Sequence, residues 1–404
     1  VLRVMNLTDV DDKTIRGCRQ LGVRLAEFTR KFKDAFFDDL ATLRIKRAQH
    51  FPAATDYVEQ MIEMIRVLMD KGVAYQAEDK SLYFRIGKFA DYGKLAHLNL
   101  EELRPSGRIQ SDEYEKESIG DFALWKAWDE NDGDVRWDSP WGPGRPGWHI
   151  ECSAMATALL GPELDIHCGG VDNIFPHHEA EIAQSECVTG RKFVRTWLHC
   201  AHLMVEGEKM SKSAGNFYTL RDLIEKGWTG REIRYALLTV NYRLPLNFTF
   251  DGLAGARSAL GRIDEWVTRL TEQSKAASTT SESATDFSAH TERFFAALDD
   301  DLNISGAMGQ LFDLIRENNR ALDAGKLGAA GASALLAQWE RINSVLGFER
   351  DAVAIPAEVL ALVEQRQAAR AAKNWAESDR LRDAIAELGW IVKDTKDGAK
   401  LTAR

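Results

Sequence analysis

The chain has 404 residues, a net charge of −10 and 45% hydrophobic residues. The length exceeds what one core usually serves, so two to four domains are expected. The acidic balance argues against a sequence-blind nucleic-acid coat, although a local basic stripe can still meet phosphates.

No uninterrupted apolar run is long enough to cross a bilayer. The five cysteines, at 18, 152, 168, 187 and 200, contain no CxxC pair, which points to reduced thiols in a cytosolic protein. The opening VLRVMNLTDVDDK starts inside an apolar run: Val1, Leu2, Val4 and Met5 predict a buried strand whose beginning lies upstream. Residues 14–75 carry helical periodicity in Ile15, Cys18, Leu21, Leu25 and Phe28, then in Val58, Met61, Ile62, Ile65 and Leu68. Residues 80–140 change character, with the alternating SLYFRI, the charged run SDEYEKES and several tryptophans, and read as an insertion.

From 145 to 206 helix and strand alternate: GWHIECSAMATALLG as helix, ELDIHCGG as strand, FPHHEAEIAQSECVTG as helix, WLHCAHLMVEG as strand. Such alternation predicts a parallel α/β sheet. Beyond Gly215 the pattern is mainly helical. SKAASTTSESATDF, 274–287, is a polar linker, and helices resume over 289–346. Pro356 is suited to open a helix. A helical pair then runs to Leu388, is ended by Gly389, and is followed by a hairpin, WIVKDTKDGAKL, turning at Asp397–Gly398.

Several short segments carry chemistry. In the helix at 176–189, Pro176 suits the first position, and Glu179 and Glu181 suit the positive dipole end. His177 and Glu181 are four apart and share a face, while His178 points aside. An imidazole and a carboxylate on one face can bind zinc, but many such pairs are surface hydrogen bonds. Cys152, on another segment of the same α/β region, would make three protein ligands and an open position, the pattern of a catalytic zinc site. DIHCGGVD, 165–172, ends a strand with glycines that let a ligand approach the backbone, and Asp172 is placed to accept from ribose hydroxyls. In GEKMSKSAGN, 207–216, Lys209 and Lys212 sit on a glycine-flanked loop, where two cations can close on a polyphosphate as its charge changes.

KMSKS matches letter for letter the signature of class I aminoacyl-tRNA synthetases. With it, GRPGWHIECSAM, DIHCGGVDNIFPHHEAEIAQS and NLTDVDDK closely resemble cysteinyl-tRNA synthetase, in order, from residue 1 to about 394. The resemblance implies an α/β Rossmann-type catalytic domain with an insertion, followed by mainly α-helical stem-contact and anticodon-binding domains. The corresponding boundaries are 1–75 and 141–218 for the two catalytic parts and 76–140 for the insertion. The stem-contact segment is 219–253, the helical bundle 254–347 and the anticodon-binding domain 356–404. It implies ATP-dependent activation of cysteine to cysteinyl-adenylate, with Mg2+, and transfer of the cysteinyl group to tRNA(Cys).

By the same resemblance, one Zn2+ per chain is held by Cys152, His177 and Glu181. Serine differs from cysteine by one atom, and a soft zinc–thiolate contact supplies the discrimination that shape alone cannot. Trp148 closes the cysteine pocket, Thr8 lies near the substrate amino group, and His149 and His167 belong to a histidine cluster around the metal. Gly170 and Asp172 bind adenosine. Lys209 and Lys212 stabilise charge on the ATP phosphates, with Lys212 the closer.

The resemblance further implies that Trp375, Asp379 and Asp394 read the anticodon, by stacking and by accepting from base amino groups. Arg366, Arg370 and Lys373 form a basic stripe for backbone phosphates. A cytoplasmic monomer is expected. The family's first-strand zinc cysteine and HIGH motif are not in the sequence, which suggests a chain short by roughly 50–70 residues, one strand–helix unit, and inactive as it stands. Cys168 stands where glycine is common in the family. Two other readings are a cysteine–sugar amine ligase of thiol biosynthesis, which would have no use for 356–404, and a non-catalytic tRNA-binding remnant.

Overall fold

The computed structural model describes residues 1–98, 120–211, 215–276, 287–350, 356–395 and 398–403. The charged run SDEYEKES, Lys212 and Asp397 lie outside these. Two compact units divide the chain, Val1–Phe348 and Glu349–Arg404.

The first unit begins with an extended segment that forms isolated parallel bridges, Val4 with His50 and Leu7 with Ala53. The expectation of a buried strand fails here. Val1, Leu2 and Met5 are exposed, because the segment is bridged along one edge only among the described residues. Helix α1 (Asp12–Leu21) starts at a capping box, with Asp11 Oδ1 accepting from the Thr14 amide at 2.6 Å and Thr14 Oγ1 accepting from the Asp11 amide at 2.8 Å. Helices α2 (Leu25–Thr42) and α3 (Val58–Asp70) follow. In α3 the apolar spacing buries Met61, Ile65 and Leu68 completely.

Strands β1 (Ala74–Gln76), β2 (Leu82–Phe84), β3 (Phe122–Ala127) and β4 (Gly144–Pro146) form an antiparallel sheet in that order. Leu82, Phe84, Leu124 and Trp125 share one core with Met61, Ile65 and Ile150, so the sheet is packed directly on the helices. Helix α4 (Trp148–Leu160) leaves β4 after one residue. Strand β5 (Leu164–Gly170), helix α5 (Glu179–Thr189) and strand β6 (Val194–Cys200) then make a parallel β-α-β unit, in register from Leu164 opposite Val194 to Gly170 opposite Cys200. The expected parallel sheet is present in this unit.

Strands β7 (Leu203–Val205), β8 (Glu208–Lys209) and β9 (Leu246–Phe248) form a small sheet around helices α6 (Leu220–Glu225) and α7 (Gly230–Leu237). Helices α8 (Phe250–Ser274), α9 (Ser288–Asp299), α10 (Ile304–Asp323) and α11 (Ala329–Leu346) pack around Leu260, Ile263, Phe294, Leu311 and Ile342. Trp266 and Trp339 meet edge to face in that core, ring centres 5.9 Å apart.

The second unit holds helices α12 (Ala357–Ala371) and α13 (Trp375–Glu387) and the hairpin of β10 (Trp390–Thr395) with β11 (Gly398–Ala403). Its core is Val359, Val363, Ile385, Trp390 and Val392. Gly389 makes the turn after α13 with φ +81°, a conformation glycine adopts without a Cβ penalty. Among the described residues no helix is long and apolar enough to cross a membrane.

Candidate functional site

Cys152, His177 and Glu181 come together. Each offers one donor atom, and the three atoms lie within 4.8 Å of one another and are buried. Cys152 sits in the second turn of α4. His177 lies in an irregular turn, Ile174–His178, in which Phe175 is extended, so regular helix begins only at Glu179. Pro176 is therefore not the first residue of a regular helix. The four-residue spacing still brings His177 Nε2 to 2.8 Å from Glu181 Oε1. The angles there do not make a hydrogen bond, and Oε1 is fully buried with no hydrogen-bond partner. A buried carboxylate oxygen that faces an imidazole nitrogen and a thiol is the arrangement expected of donors aimed at a shared cation. The sulfur, nitrogen and oxygen set fits zinc.

A second layer orients these donors. Glu181 Oε2 lies 2.6 Å from His167 Nε2, and His177 Nδ1 lies 2.9 Å from His149 Nδ1. Trp148 stacks on His177 with ring centres 4.2 Å apart, its indole half exposed at the mouth. His178, set aside in the sequence reading, is buried and pairs with His199 at 2.8 Å. His199 in turn stacks on Trp197. His199 and Trp197 escaped the sequence reading, although their two-residue spacing on a strand puts both on one face.

Burial pushes Glu181 up, but His167 and His177 outweigh it and hold its carboxylate well below the usual range. Burial lowers His167 and the Glu181 charge reverses this, so the imidazole rises. His178 is pushed down to about 3 by burial and stays neutral at physiological pH. Burial, and then the nearby Glu181 charge, raise the Cys152 thiol well above its ordinary value. A dication among these donors would reverse that last effect, since coordinating thiols lose their proton.

Thr8 approaches this region through α4. Burial pushes Glu151 well up, partly offset by a hydrogen bond with Thr8. Glu151 Oε2 is buried without a partner; neither feature was foreseen. The neighbouring Asp9 is fixed by Lys33 at 2.6 Å and by the Thr55 amide and hydroxyl at 2.9 and 2.7 Å.

At the end of β5 Gly169 is sterically required, while the contact at Gly170 is with the end of an exposed side chain that can turn away. A Cβ on Gly169 would overlap the His178 ring, and one on Gly170 would overlap Asp172 Oδ1. Asp172 is exposed. Lys209 is exposed on β8, and the hairpin before it turns at Glu206 and Gly207, both with positive φ. Asn216 holds the far side of the loop, accepting from the Ser211 amide at 2.8 Å and donating to the Lys209 carbonyl at 3.2 Å.

Comparison with known proteins meets this geometry. The family described as tRNA synthetases class I (C) catalytic domain matches residues 1–258, the DALR domain matches 293–349, and the cysteinyl-tRNA ligase anticodon binding domain matches 352–400. The cysteine–tRNA ligase of Protochlamydia amoebophila is 49% identical over 99% of this chain and 85% of its own length. The chain belongs to the cysteinyl-tRNA synthetase family. A Chlamydia trachomatis cysteine–tRNA ligase is 50% identical over 99% of this chain and 87% of its own. Methionyl-tRNA synthetase of Mycobacterium tuberculosis, bound by methionyl-adenylate, shares the fold at a TM-score of 0.58, with 15% identity over 80% of this chain and 75% of that one.

At the anticodon-domain end of this cysteinyl-tRNA synthetase family member, Trp375 is exposed, with the Arg370 guanidinium 5.7 Å from its ring centre. Asp379 is exposed and pairs with Arg382 at 3.2 Å. The expected basic stripe is corrected here. Arg366 is buried and donates to both Asp394 oxygens, at 2.7 and 2.9 Å, and Arg370 adds a third contact at 3.0 Å. A buried guanidinium whose two terminal nitrogens are paired with a carboxylate is not open to phosphate; Arg370 and Lys373 are more exposed.

Proposed function

We propose that the chain works as a cysteine–tRNA ligase, activating cysteine with ATP and passing it to tRNA(Cys), with the pocket at Cys152, His177 and Glu181 selecting the thiol. The observation carrying the selectivity reading is the buried three-donor pocket with an orphaned Glu181 Oε1. Zinc held by these side chains would supply a soft Lewis-acid contact for the substrate thiolate, which a serine hydroxyl cannot match at neutral pH.

The chain's own residues divide the remaining work. Trp148 covers the pocket mouth beside His177 and limits water there. Thr8 is suited to accept from the substrate ammonium. His149 and His167 fix the orientation of His177 and Glu181. The cysteine carboxylate attacks the ATP α-phosphorus, and the bond to the leaving pyrophosphate, bound with Mg2+, breaks. Lys209 and Lys212 offset the charge that gathers on the phosphates, and Gly170 and Asp172 hold the adenosine. The terminal ribose hydroxyl of tRNA then attacks the adenylate carbonyl and releases AMP. Trp375 is suited to stack on an unpaired anticodon base, and Asp379 to accept from a base amino group. Asp394 does so only with oxygen lone pairs not used by Arg366.

The match at 352–400 to an anticodon-binding domain supports this reading over a cysteine–sugar amine ligase. Five free thiols support a reducing, cytoplasmic setting, and we take the working form to be a monomer. The test is cysteine binding by the zinc-loaded chain, by calorimetry, beside serine. Binding of cysteine alone, lost on Cys152→Ser, supports the reading; equal binding of both amino acids sinks it.

A further inference from the structure

The side that α4 turns toward α5 is polar where helix interfaces are usually apolar. On α4, His149, Ser153 and Thr157 recur every four residues. On α5 and the turn before it, His177, Glu181, Gln184 and Ser185 stand at three- and four-residue spacings. Each set therefore lines one side of its segment. Contacts between the sets keep the same order: His149 meets His177, Cys152 lies by Glu181, and Ser153 bonds Gln184. The two segments thus run side by side in the same direction. Ser153 follows Cys152 directly, and Gln184 lies three residues beyond Glu181.

Ser153 Oγ donates to Gln184 Oε1 at 2.7 Å, and both residues are fully buried. Gln184 Nε2 and the hydroxyls of Ser185 and Thr157 are buried without a hydrogen-bond partner. Buried polar groups left unpaired cost stability rather than supply it. Packing does not require them here, since Ala154 on α4 and Ala180 and Ala183 on α5 already sit in the apolar core.

What a buried polar pair supplies is register. A slip of one helix along the other leaves both groups unpaired, so one alignment is singled out. The alignment matters because Cys152 comes from α4 and Glu181 from α5. Their donor atoms and that of His177 lie within 4.8 Å of one another. A slide by one residue, about 1.5 Å along the axis, far exceeds the roughly 0.2 Å that metal–ligand distances tolerate.

We propose that Ser153 and Gln184 are positioning residues for the metal pocket: their bond pins the register of α4 on α5, and so the meeting of Cys152 with His177 and Glu181. Neither is itself a donor to the ion. The proposal rests on the zinc reading given above.

The experiment uses the full chain. Zinc affinity is read by competition with a chromophoric chelator, and the local stability of α5 by amide exchange over 179–189 in the metal-free chain. Ser153→Ala, Gln184→Met and the double variant are set beside Thr157→Val, which alters the same side of α4 outside the pair. Each single variant should bind zinc about tenfold more weakly. The double variant should lose no more than that, because the two side chains make one interaction. Its metal-free exchange over 179–189 should not quicken, since replacing both partners by apolar groups leaves neither unpaired. Thr157→Val should keep wild-type zinc affinity. Ser153→Ala is the mildest change and decides the matter if Gln184→Met fails to fold. Unchanged zinc affinity in the single variants, losses that multiply in the double variant, or equal weakening in Thr157→Val overturns the proposal. So does zinc loss in the double variant that comes with faster metal-free exchange, which marks loosened packing and not lost register. A wild-type chain that binds no zinc overturns the zinc reading, and the proposal with it, and is recognised before any substitution is made.

Discussion

Glu179 and Glu181 are two residues apart on α5, both fully buried, and the geometry gives them different work. Glu179 accepts from three backbone amides of one loop: Gly93 at 3.0 Å, Ala96 at 2.7 Å, and Leu95. Glu181 faces His167, His177 and Cys152. Exchange of each for its isosteric amide separates the two roles. Both Glu179 oxygens accept, so Glu179→Gln keeps one acceptor without its charge and sets an NH2 against the amide or amides that the other oxygen served. Hydrogen bonds to a charged group contribute about 1.5–3 kcal/mol each but do not add, so a loss of about 2–3 kcal/mol is expected. Amide hydrogen exchange over 93–96 should then quicken roughly 30- to 140-fold, since about 1.4 kcal/mol is a factor of ten. Its zinc content should not change. Glu181→Gln should lose the metal while the 93–96 loop keeps its protection. Zinc is read by atomic emission after dialysis, and the loop by exchange mass spectrometry. Equal zinc loss in both variants would mean that burial of any carboxylate on α5 matters, not the direction it faces, and the assignment of Glu181 would fall.

Three further outcomes follow from named contacts. Trp148→Ala, which removes the ring stacked on His177, should weaken cysteine binding severalfold, as loss of an aromatic contact worth about 1 kcal/mol does, while zinc stays bound; calorimetry on the zinc-loaded protein checks this. Asp394 is held below the ordinary carboxylate range by its hydrogen bonds with Arg366. A depressed folded value gives stability that is present above the unfolded value near pH 4 and is lost as pH falls through the lower folded one. Asp394→Asn should therefore flatten the acid end of the α12 exchange profile and cost about 1 kcal/mol at neutral pH, a modest figure because water screens a half-exposed carboxylate. Leu311→Ala, at a fully buried position in the bundle, should lower stability by about 2–5 kcal/mol, measured by chemical denaturation; a cost below 1 kcal/mol would contradict the packing.

The parts legible in the sequence were those with short-range causes. The Pro and Gly punctuation and the apolar period placed α3, α4, α5, α12 and α13 and the β5–β6 crossover. The three donors were found because His177 and Glu181 share a face and Cys152 lies in the same α/β region. What stayed hidden depended on contacts across the chain. Glu179 and Glu181 read alike in the sequence, as acids in a first helical turn, and only the loop at 93–96 tells them apart. Arg366 and Arg370 read as surface cations, because nothing local shows that Asp394, on a later strand, folds back to pair with Arg366. His199 was passed over for the same reason: its partner is His178, 21 residues earlier. The opening strand read as buried because apolar residues there imply neighbours on both sides, and the described residues supply bridges on one.

The number of metal ions can be argued from charge. Two donor groups exist in the pocket region, Cys152–His177–Glu181 and His167–His178–Glu181, and they share one carboxylate. The first joins a thiol and a carboxylate, so one dication there is neutralised by thiolate and carboxylate together. The second adds only two imidazoles to the same carboxylate, and a second dication would meet no further negative charge inside a buried site, where uncompensated charge is costly. The geometry also differs. Glu181 Oε2 is already bonded to His167 at 2.6 Å, whereas Oε1, 2.8 Å from His177 Nε2, is left without a hydrogen bond of good geometry. His167 therefore fits as the group that fixes the carboxylate, with its charge-assisted bond strengthening the grip on whatever Oε1 binds. One zinc per chain is the expected stoichiometry. His167→Gln should weaken zinc binding without abolishing it, since a supporting partner is typically worth 10- to 100-fold in affinity. Competition with a chromophoric chelator reads both quantities. Two ions per chain in wild type, or complete zinc loss in His167→Gln, would show that the second group is a ligand set in its own right.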